Sequence, residues 1–96
     1  MIGISNFKNI VTGDIAIDLG TANTLIWING QGIILNEPSI VARNVVNGDI
    51  IAVGNEAMEM VGRTHSGIET LRPLKDGVIA DYKMTDAMIL GFIRKI

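Results

Sequence analysis

The sequence predicts a mixed α/β fold in which antiparallel β-hairpins come first and the main helix comes last. Two hairpin signals, Asn29-Gly30 and Asn47-Gly48, each lie between apolar runs. Apolar residues with the spacing of a long helix appear only after residue 81. Strands that follow one another without intervening helices favour antiparallel pairing over βαβ units.

Five strands are predicted between residues 14 and 53. The first alternates, with Ile15, Ile17 and Leu19 on one face, as in a strand with one buried side. The second is apolar nearly throughout, which is typical of a strand covered on both faces, so we expect Trp27 in the core. The predicted strands cover residues 14–19, 24–28, 32–35, 39–46 and 50–53.

A short helix and an extended segment follow these strands. We expect Asn55 to cap a helix over residues 56–61 that ends at Gly62. Residues 68–74 are expected to be extended, because Pro73 is incompatible with a helix interior.

The last helix is expected to begin at Asp81 or Thr85, after an Asp76-Gly77 turn that carries no chemistry of its own. Residues 94–96 contain no glycine or other end signal, so the helix is expected to continue to the end of the printed sequence. Its apolar stripe consists of Met88, Ile89, Phe92, Ile93 and Ile96.

The composition excludes several classes of function. A net charge of -2 and an aromatic content of 4% do not fit a nucleic-acid-binding surface. The absence of cysteine excludes a thiolate metal site and fits a reducing compartment. No apolar run reaches the roughly 20 residues of a transmembrane helix, and residues 1–11 lack the pattern of a signal peptide. These features favour a small intracellular domain.

The clearest candidate for a binding site in the sequence is the stretch from Asp18 to Asn23. A carboxylate ends an apolar strand, and the small polar loop GTAN joins it directly to another strand. Backbone N–H groups of a tight turn can bind an anion, and Gly20 lets a ligand approach closely. Thr21 and Asn23 add polar side chains, while Asp18 beside phosphates requires a cation such as Mg²⁺. The spacing alone leaves open a plain hairpin turn in which Asp18 only hydrogen-bonds the turn.

Three stretches resemble the ATPase superfamily of actin, the heat-shock chaperones and the sugar kinases. They are IAIDLGTANTLIWINGQGIILNEPSIVA, AVGNEAMEMVGRT and LRPLKDGVIADYKMTDAMILGFI. Within that superfamily they look most like the MreB family, the bacterial actins that help to determine rod cell shape. The resemblance covers residues 14–96.

The resemblance implies an actin-like (ribonuclease H-like) fold and a role for each residue of the loop. Asp18 would act on Mg²⁺ through water, and the ATP phosphates would be held by Gly20, Thr21, Ala22 and Asn23. Subdomain IA would comprise residues 14–37 and 75–96, and the small inserted subdomain IB residues 38–74. Members of the superfamily are several times longer and carry their hydrolytic residue in a second lobe. The printed chain is therefore expected to be a fragment or a truncated product that does not hydrolyse ATP alone.

The resemblance also implies a cytoskeletal function. We expect a slow, switch-like ATPase that polymerises under the cytoplasmic membrane, works with membrane proteins of cell elongation and binds no nucleic acid. Residues 1–13 form a leader, and Ile4, Phe7, Ile10 and Val11 fall near one helical face that could bind the membrane; a disordered leader is the alternative. Two other functions stay open here: a sugar-kinase- or chaperone-like ATPase, and a nucleotide-independent adaptor of the actin fold.

Overall fold

The fold consists of nine strands and two helices within the residues that the structure, a computed structural model, describes: 9–11, 14–63 and 66–96. In chain order they are β1 (Asn9–Val11), β2 (Ile15–Leu19), β3 (Asn23–Ile28), β4 (Gly32–Pro38), β5 (Val41–Asn44), β6 (Ile50–Val53), α1 (Asn55–Met58), β7 (Ile68–Leu71), β8 (Leu74–Lys75), β9 (Val78–Ile79) and α2 (Tyr82–Ile93).

The first four strands form an antiparallel sheet in the order β1-β2-β3-β4. In the β2–β3 hairpin Leu19 lies opposite Thr24, so only residues 20–22 connect the two strands at the edge of the sheet. The β3–β4 hairpin turns at residues 29–31, where Gly30 has a φ of 84°, a conformation that glycine adopts without strain. The predicted hairpin at Asn29-Gly30 is confirmed.

A second sheet and a small hairpin complete the strands. The second sheet has the order β6-β5-β7, and its β5–β6 connection contains the predicted Asn47-Gly48 turn. The β8–β9 hairpin turns at Asp76 and Gly77, which have φ values of 52° and 75°. Described strand pairs are all antiparallel, which confirms the predicted mixed fold with hairpins first and the main helix last.

One apolar core joins the two sheets and α2. The inner face of β2 supplies it through Ile17 and Leu19, which confirms the predicted alternation of that strand. Of the two predicted starts, Asp81 and Thr85, the structure favours the first: Asp81 is the N-cap of α2, and its side chain accepts a hydrogen bond from the Met84 N–H at 2.9 Å. The buried members of the core are Ile17, Leu19, Ile26, Leu35, Val41, Val53, Leu74, Met88 and Phe92.

The prediction that Trp27 lies in the core is wrong. β3 alternates between buried and exposed positions, and Trp27 is 40% exposed on its outer face. Its cross-strand partners on that face are Ala16 and Ile33, and Ile33 is itself exposed. An apolar run therefore does not by itself show that both faces of a strand are covered, since Trp and Ile also have high strand propensity.

The prediction for the short helix is wrong in its cap and its length. Gly54, with a φ of 64°, occupies the N-cap position and makes no side-chain cap, and Asn55 is the first residue of α1. The Asn55 N–H donates instead to the Glu37 Oε1 atom at 2.9 Å. Regular helix ends at Met58, and residues 59–62 continue as turns.

The last helix is shorter and its buried stripe narrower than predicted. α2 ends at Ile93, where the Lys95 N–H turns back to the Phe92 carbonyl at 3.0 Å. Met88 and Phe92 are fully buried and Ile89 partly so, whereas Ile93 and Ile96 are exposed. The buried surface of α2 follows Thr85, Met88 and Phe92, a spacing of three and four residues.

Residues 9–11 form a strand rather than part of a leader helix. Ile10 and Val11 pair with Ile17 and Ala16 of β2, so the predicted helical face does not include them. Residues 1–8, 12 and 13, which carry the rest of the predicted leader, lie outside the described residues. No helix in the described part of the chain is long and apolar enough to cross a membrane.

Candidate functional site

The loop between β2 and β3 is a close-packed turn in which Gly20 is sterically required. The Gly20 N–H donates to the Asn23 carbonyl at 3.0 Å. A Cβ atom built on Gly20 would lie 2.6 Å from that same carbonyl oxygen, closer than real Cβ atoms approach. A side chain at Gly20 would therefore force the loop to change shape.

Ser39, which follows β4, holds this loop from the side opposite β2. Its backbone N–H donates to the Ala22 carbonyl at 2.9 Å. Its hydroxyl donates to the Gly20 carbonyl at 2.7 Å and lies 2.8 Å from the Thr24 hydroxyl. Both Ser39 and Thr24 are fully buried, so these bonds are shielded from competing water.

The β8–β9 turn is also hydrogen-bonded to the loop. The Gly77 N–H donates to the Thr21 hydroxyl at 2.5 Å, although the two residues are 56 positions apart. This bond occupies an acceptor site of the hydroxyl and leaves its own proton available to a ligand. Asp76-Gly77 is a turn, as predicted, but it also positions a residue of the candidate site.

The loop contains two successive backbone donors that have no acceptor among the described residues. Among the residues that the structure describes, nothing accepts a hydrogen bond from the N–H groups of Thr21 and Ala22. Ala22 and Asn23 are exposed, and Asn23 is the first residue of β3 rather than a loop residue. Successive unpaired N–H groups on a tight turn form a site for a phosphate or another oxyanion.

Asp18 lies near the end of β2, two residues before the loop begins. Its side chain is exposed, on the face of β2 opposite the buried Ile17 and Leu19. Within the described ranges its carboxylate makes no hydrogen bond or ion pair. The alternative in which Asp18 serves only to hydrogen-bond the turn therefore finds no support in the geometry.

Sequence reasoning missed Ser39 and Gly77 as parts of this site. Both occur in stretches that carry the family resemblance, LNEPS and DGVIAD, but nothing local in those stretches predicts contact with the loop. The pairing of Pro38 with Asn23 brings Ser39 to the loop, and that register depends on a bulge near Ile26 and Trp27. A bulge of this kind leaves no clear signal in the sequence.

A separate ionic cluster lies where β4, α1 and the end of α2 meet. The Lys95 ammonium donates to the Glu37 carboxylate at 2.6 Å, to the Val53 carbonyl at 3.2 Å and also to Glu56. The hydrogen bond from Lys95 lowers the pKa of Glu56 below its ordinary value. Partial burial opposes charge on Lys95, but its hydrogen bonds to Glu37 and Glu56 outweigh this and raise its pKa.

Neither of two grooves beside α2 adds to the candidate site. One groove of about 390 Å³ lies between β6 and α2 and is lined by residues such as Ile51, Leu90 and Arg94. The other, of about 540 Å³, includes Arg43 and Lys83 in its wall. No loop residue lines either groove, and the described residues contain no cluster of three or more acidic or imidazole side chains that would hold a metal ion by themselves.

Comparison with known proteins identifies the family. The family model described as MreB/Mbl protein matches residues 12–96. The chain belongs to the MreB/Mbl family. Among its relatives is the cell shape-determining protein Mbl of Bacillus subtilis, 59% identical over 83 residues that make up 86% of this chain and 25% of the relative. The cell shape-determining protein MreB of Escherichia coli is 47% identical over 97 aligned positions, 97% of this chain and 28% of the relative.

Solved structures of the MreB/Mbl family share this fold. MreB5 of Spiroplasma citri bound to ADP matches with a TM-score of 0.74 and 43% identity, over 82% of this chain and 24% of that one. The same protein bound to AMPPNP matches with a TM-score of 0.75 and 42% identity, over 83% of this chain and 24% of that one. The actin-like fold is thereby confirmed. The chain spans about a quarter of the length of the relatives that it matches.

Proposed function

We propose that the Gly20–Asn23 turn is the first phosphate-binding hairpin of an actin-like ATP-binding protein. The observation that carries this proposal is the pair of unpaired N–H groups of Thr21 and Ala22, on a turn that is hydrogen-bonded within itself, to Ser39 and to Gly77. MreB5 of Spiroplasma citri has been solved bound to ADP and bound to AMPPNP, which supports a nucleotide as the ligand. Gly20, Thr21, Ala22 and Asn23 hold its phosphates.

The donor set at the loop fits Mg²⁺ bound together with ATP. Mg²⁺ keeps several waters and takes one or two carboxylates plus phosphate oxygens, rather than a cage of protein ligands. Asp18, exposed and without a partner among the described residues, supplies one such carboxylate through water. A Mg²⁺ ion held there would offset the repulsion between the phosphates and the Asp18 carboxylate. We assign no hydrolytic residue to the 96 printed positions.

We further propose that the intact protein is a cytoskeletal subunit that polymerises on the cytoplasmic face of the membrane. The names of its relatives, cell shape-determining proteins, support this role. Residues 14–37 and 75–96 would form subdomain IA, residues 38–74 subdomain IB, and the segment before β1 would contact lipid. Co-sedimentation with anionic vesicles, with and without residues 2–8, tests the lipid contact, and equal pelleting of both forms rejects it.

A substitution at Ala22 tests the phosphate-binding hairpin. Ala22→Glu places a carboxylate beside the phosphates, and two like charges about 4 Å apart repel by about 1 to 4 kcal/mol, depending on the local dielectric. We expect calorimetry on the intact protein to show ATP affinity at least about fivefold weaker in Ala22→Glu. Ala22→Gln, which has nearly the same size and no charge, is the matched control and should stay close to wild type.

Three results would contradict the proposal. Wild-type ATP binding in Ala22→Glu would mean that the loop does not approach the nucleotide. Equal weakening in Ala22→Gln would trace the effect to bulk rather than charge. Absence of ATP binding in the unsubstituted protein would instead favour a nucleotide-independent adaptor of the actin fold.

A further inference from the structure

We propose that Ser39 is a positioning residue of this loop, which sets the direction of a phosphate-binding N–H group without touching the ligand. The inference rests on the proposed ATP-binding function. Its starting point is that the Ser39 hydroxyl donates to the Gly20 carbonyl at 2.7 Å from a fully buried position.

The geometry of the peptide bond links the direction of the Gly20 carbonyl to that of the Thr21 N–H. The Gly20 carbonyl and the Thr21 N–H belong to one planar trans peptide unit, so they point in opposite directions. A hydroxyl that holds the carbonyl toward the interior therefore holds the N–H toward the outside of the turn. That N–H is one of the two donors that find no acceptor among the described residues.

The hydroxyl protons of Ser39 and Thr24 point in one direction along a chain of hydrogen bonds. Ser39 has one hydroxyl proton, and it goes to the Gly20 carbonyl. The contact of 2.8 Å between the Ser39 and Thr24 hydroxyls must then be donated by Thr24. The result is a directed chain from Thr24 to Ser39 to Gly20, and it lies away from solvent because both hydroxyl residues are fully buried.

The backbone and the side chain of Ser39 make separate hydrogen bonds to the loop. The Ser39 N–H donates to the Ala22 carbonyl at 2.9 Å, and any residue other than proline at position 39 keeps that bond. Removing the hydroxyl therefore leaves the loop attached to the end of β4 but frees the Gly20–Thr21 peptide plane to rotate. The expected loss falls on the phosphate contact rather than on the attachment of the loop.

The test compares ATP with adenosine, which has no phosphate, by calorimetry on the intact protein with Mg²⁺. Ser39→Ala should weaken ATP binding about tenfold, equivalent to about 1.4 kcal/mol, and leave adenosine binding unchanged. Thr85→Val is the matched control, because Thr85 is also fully buried and its hydroxyl donates to the Asp81 carbonyl at 2.7 Å in α2. It should leave the ratio of the two affinities unchanged.

A second pair of variants covers the case in which Ser39→Ala does not fold. Ser39→Thr and Ser39→Val have the same shape and differ in the hydroxyl, so Ser39→Thr should bind ATP about tenfold more tightly than Ser39→Val. Equal ATP affinity in that pair, or a parallel loss of ATP and adenosine binding in Ser39→Ala, would overturn the positioning role. Failure of the unsubstituted protein to bind ATP would be a different result, since it would remove the proposed function itself.

Discussion

The outward direction of the Asp18 side chain follows from the alternation of buried and exposed residues in β2. Ile17 and Leu19 face the core, so the intervening side chain must face outward, and it is exposed in the structure. If the turn binds phosphate as proposed, an exposed carboxylate two residues before it repels that phosphate unless a cation lies between them. The role proposed for Asp18 is to make nucleotide binding depend on Mg²⁺.

Neutralising Asp18 should remove that dependence. Mg²⁺ should strengthen ATP binding less in Asp18→Asn than in wild type. We expect the ratio of ATP affinities with and without Mg²⁺ to be smaller by a factor of about 10 or more, because a charge-assisted contact contributes about 1.5 to 3 kcal/mol. Calorimetry with ATP, in the presence of Mg²⁺ or of EDTA, measures the effect. Asp86→Asn, at an exposed position on α2, is the control. An unchanged Mg²⁺ effect in Asp18→Asn would reject the metal role.

Residues of the loop were predictable from the sequence to different degrees. Gly20 was expected to let a ligand approach closely, which stays a prediction, and the structure adds that a side chain there would collide with the Asn23 carbonyl. Ser39 was not expected, since its contact with Gly20 spans 19 positions and depends on the exact strand register. Local patterns predict which residues lie in a turn, but they do not predict what holds the turn in place.

At the scale of elements, a long-range contact holds the start of α1, whereas a local cap from Asp81 holds the start of α2. Glu37 of β4 accepts the first N–H of α1, in place of the cap expected from Asn55. Lys95 leaves the helical path after α2 and reaches Glu37 and Glu56. The sequence predicted both helices and the Asp81 cap of α2, but the start of α1 depends on Glu37, a partner 18 positions away.

Removing the charge of Lys95 should make stability less sensitive to acid. The lowered pKa of Glu56 stabilises the fold above about pH 4.5, and this contribution is lost as the pH falls through the folded-state pKa. In Lys95→Met the pKa of Glu56 should rise toward its ordinary value, so stability should fall less steeply on acidification. Urea unfolding at several pH values measures the slope, with Lys83→Met as control; identical slopes in wild type and Lys95→Met would contradict the cluster's role.

Gly91 should be required for the close packing of α2 against β6. A Cβ atom at Gly91 would lie 2.8 Å and 3.0 Å from the two γ-carbons of Val53. Alanine favours a helix by about 1 kcal/mol, but overpacking costs about 1 to 3 kcal/mol, so Gly91→Ala should destabilise the intact protein by up to about 2 kcal/mol.

The sign of the Gly91→Ala effect should reverse when the opposing side chain is cut back. In a Val53→Ala background the added methyl group has room, and Gly91→Ala should stabilise by up to about 1 kcal/mol. An Ile51→Ala background is the control, because Ile51 lies on the same strand but is exposed, and there the penalty should persist. The free energy of unfolding in urea gives the comparison, and equal effects in both backgrounds would mean that Val53 does not set the packing distance.

At the scale of the whole molecule, the two sheets meet in one core although they correspond to two expected subdomains. Val41 and Val53 of the second sheet pack with Leu19 of the first and Phe92 of α2. The predicted order of hairpins followed by a helix was sufficient for the fold class. The exposed Trp27 was not predictable, because hydrophobic content indicates strand propensity but not which face is covered.

A structure of the intact protein with AMPPNP and Mg²⁺ would show whether the Gly20–Asn23 turn holds the phosphates of ATP. We expect phosphate oxygens within about 3 Å of the backbone nitrogens of Thr21 and Ala22. We also expect a Mg²⁺ ion linked to Asp18 through water. AMPPNP bound with its phosphates elsewhere, and with both N–H groups facing bulk solvent, would contradict the proposal.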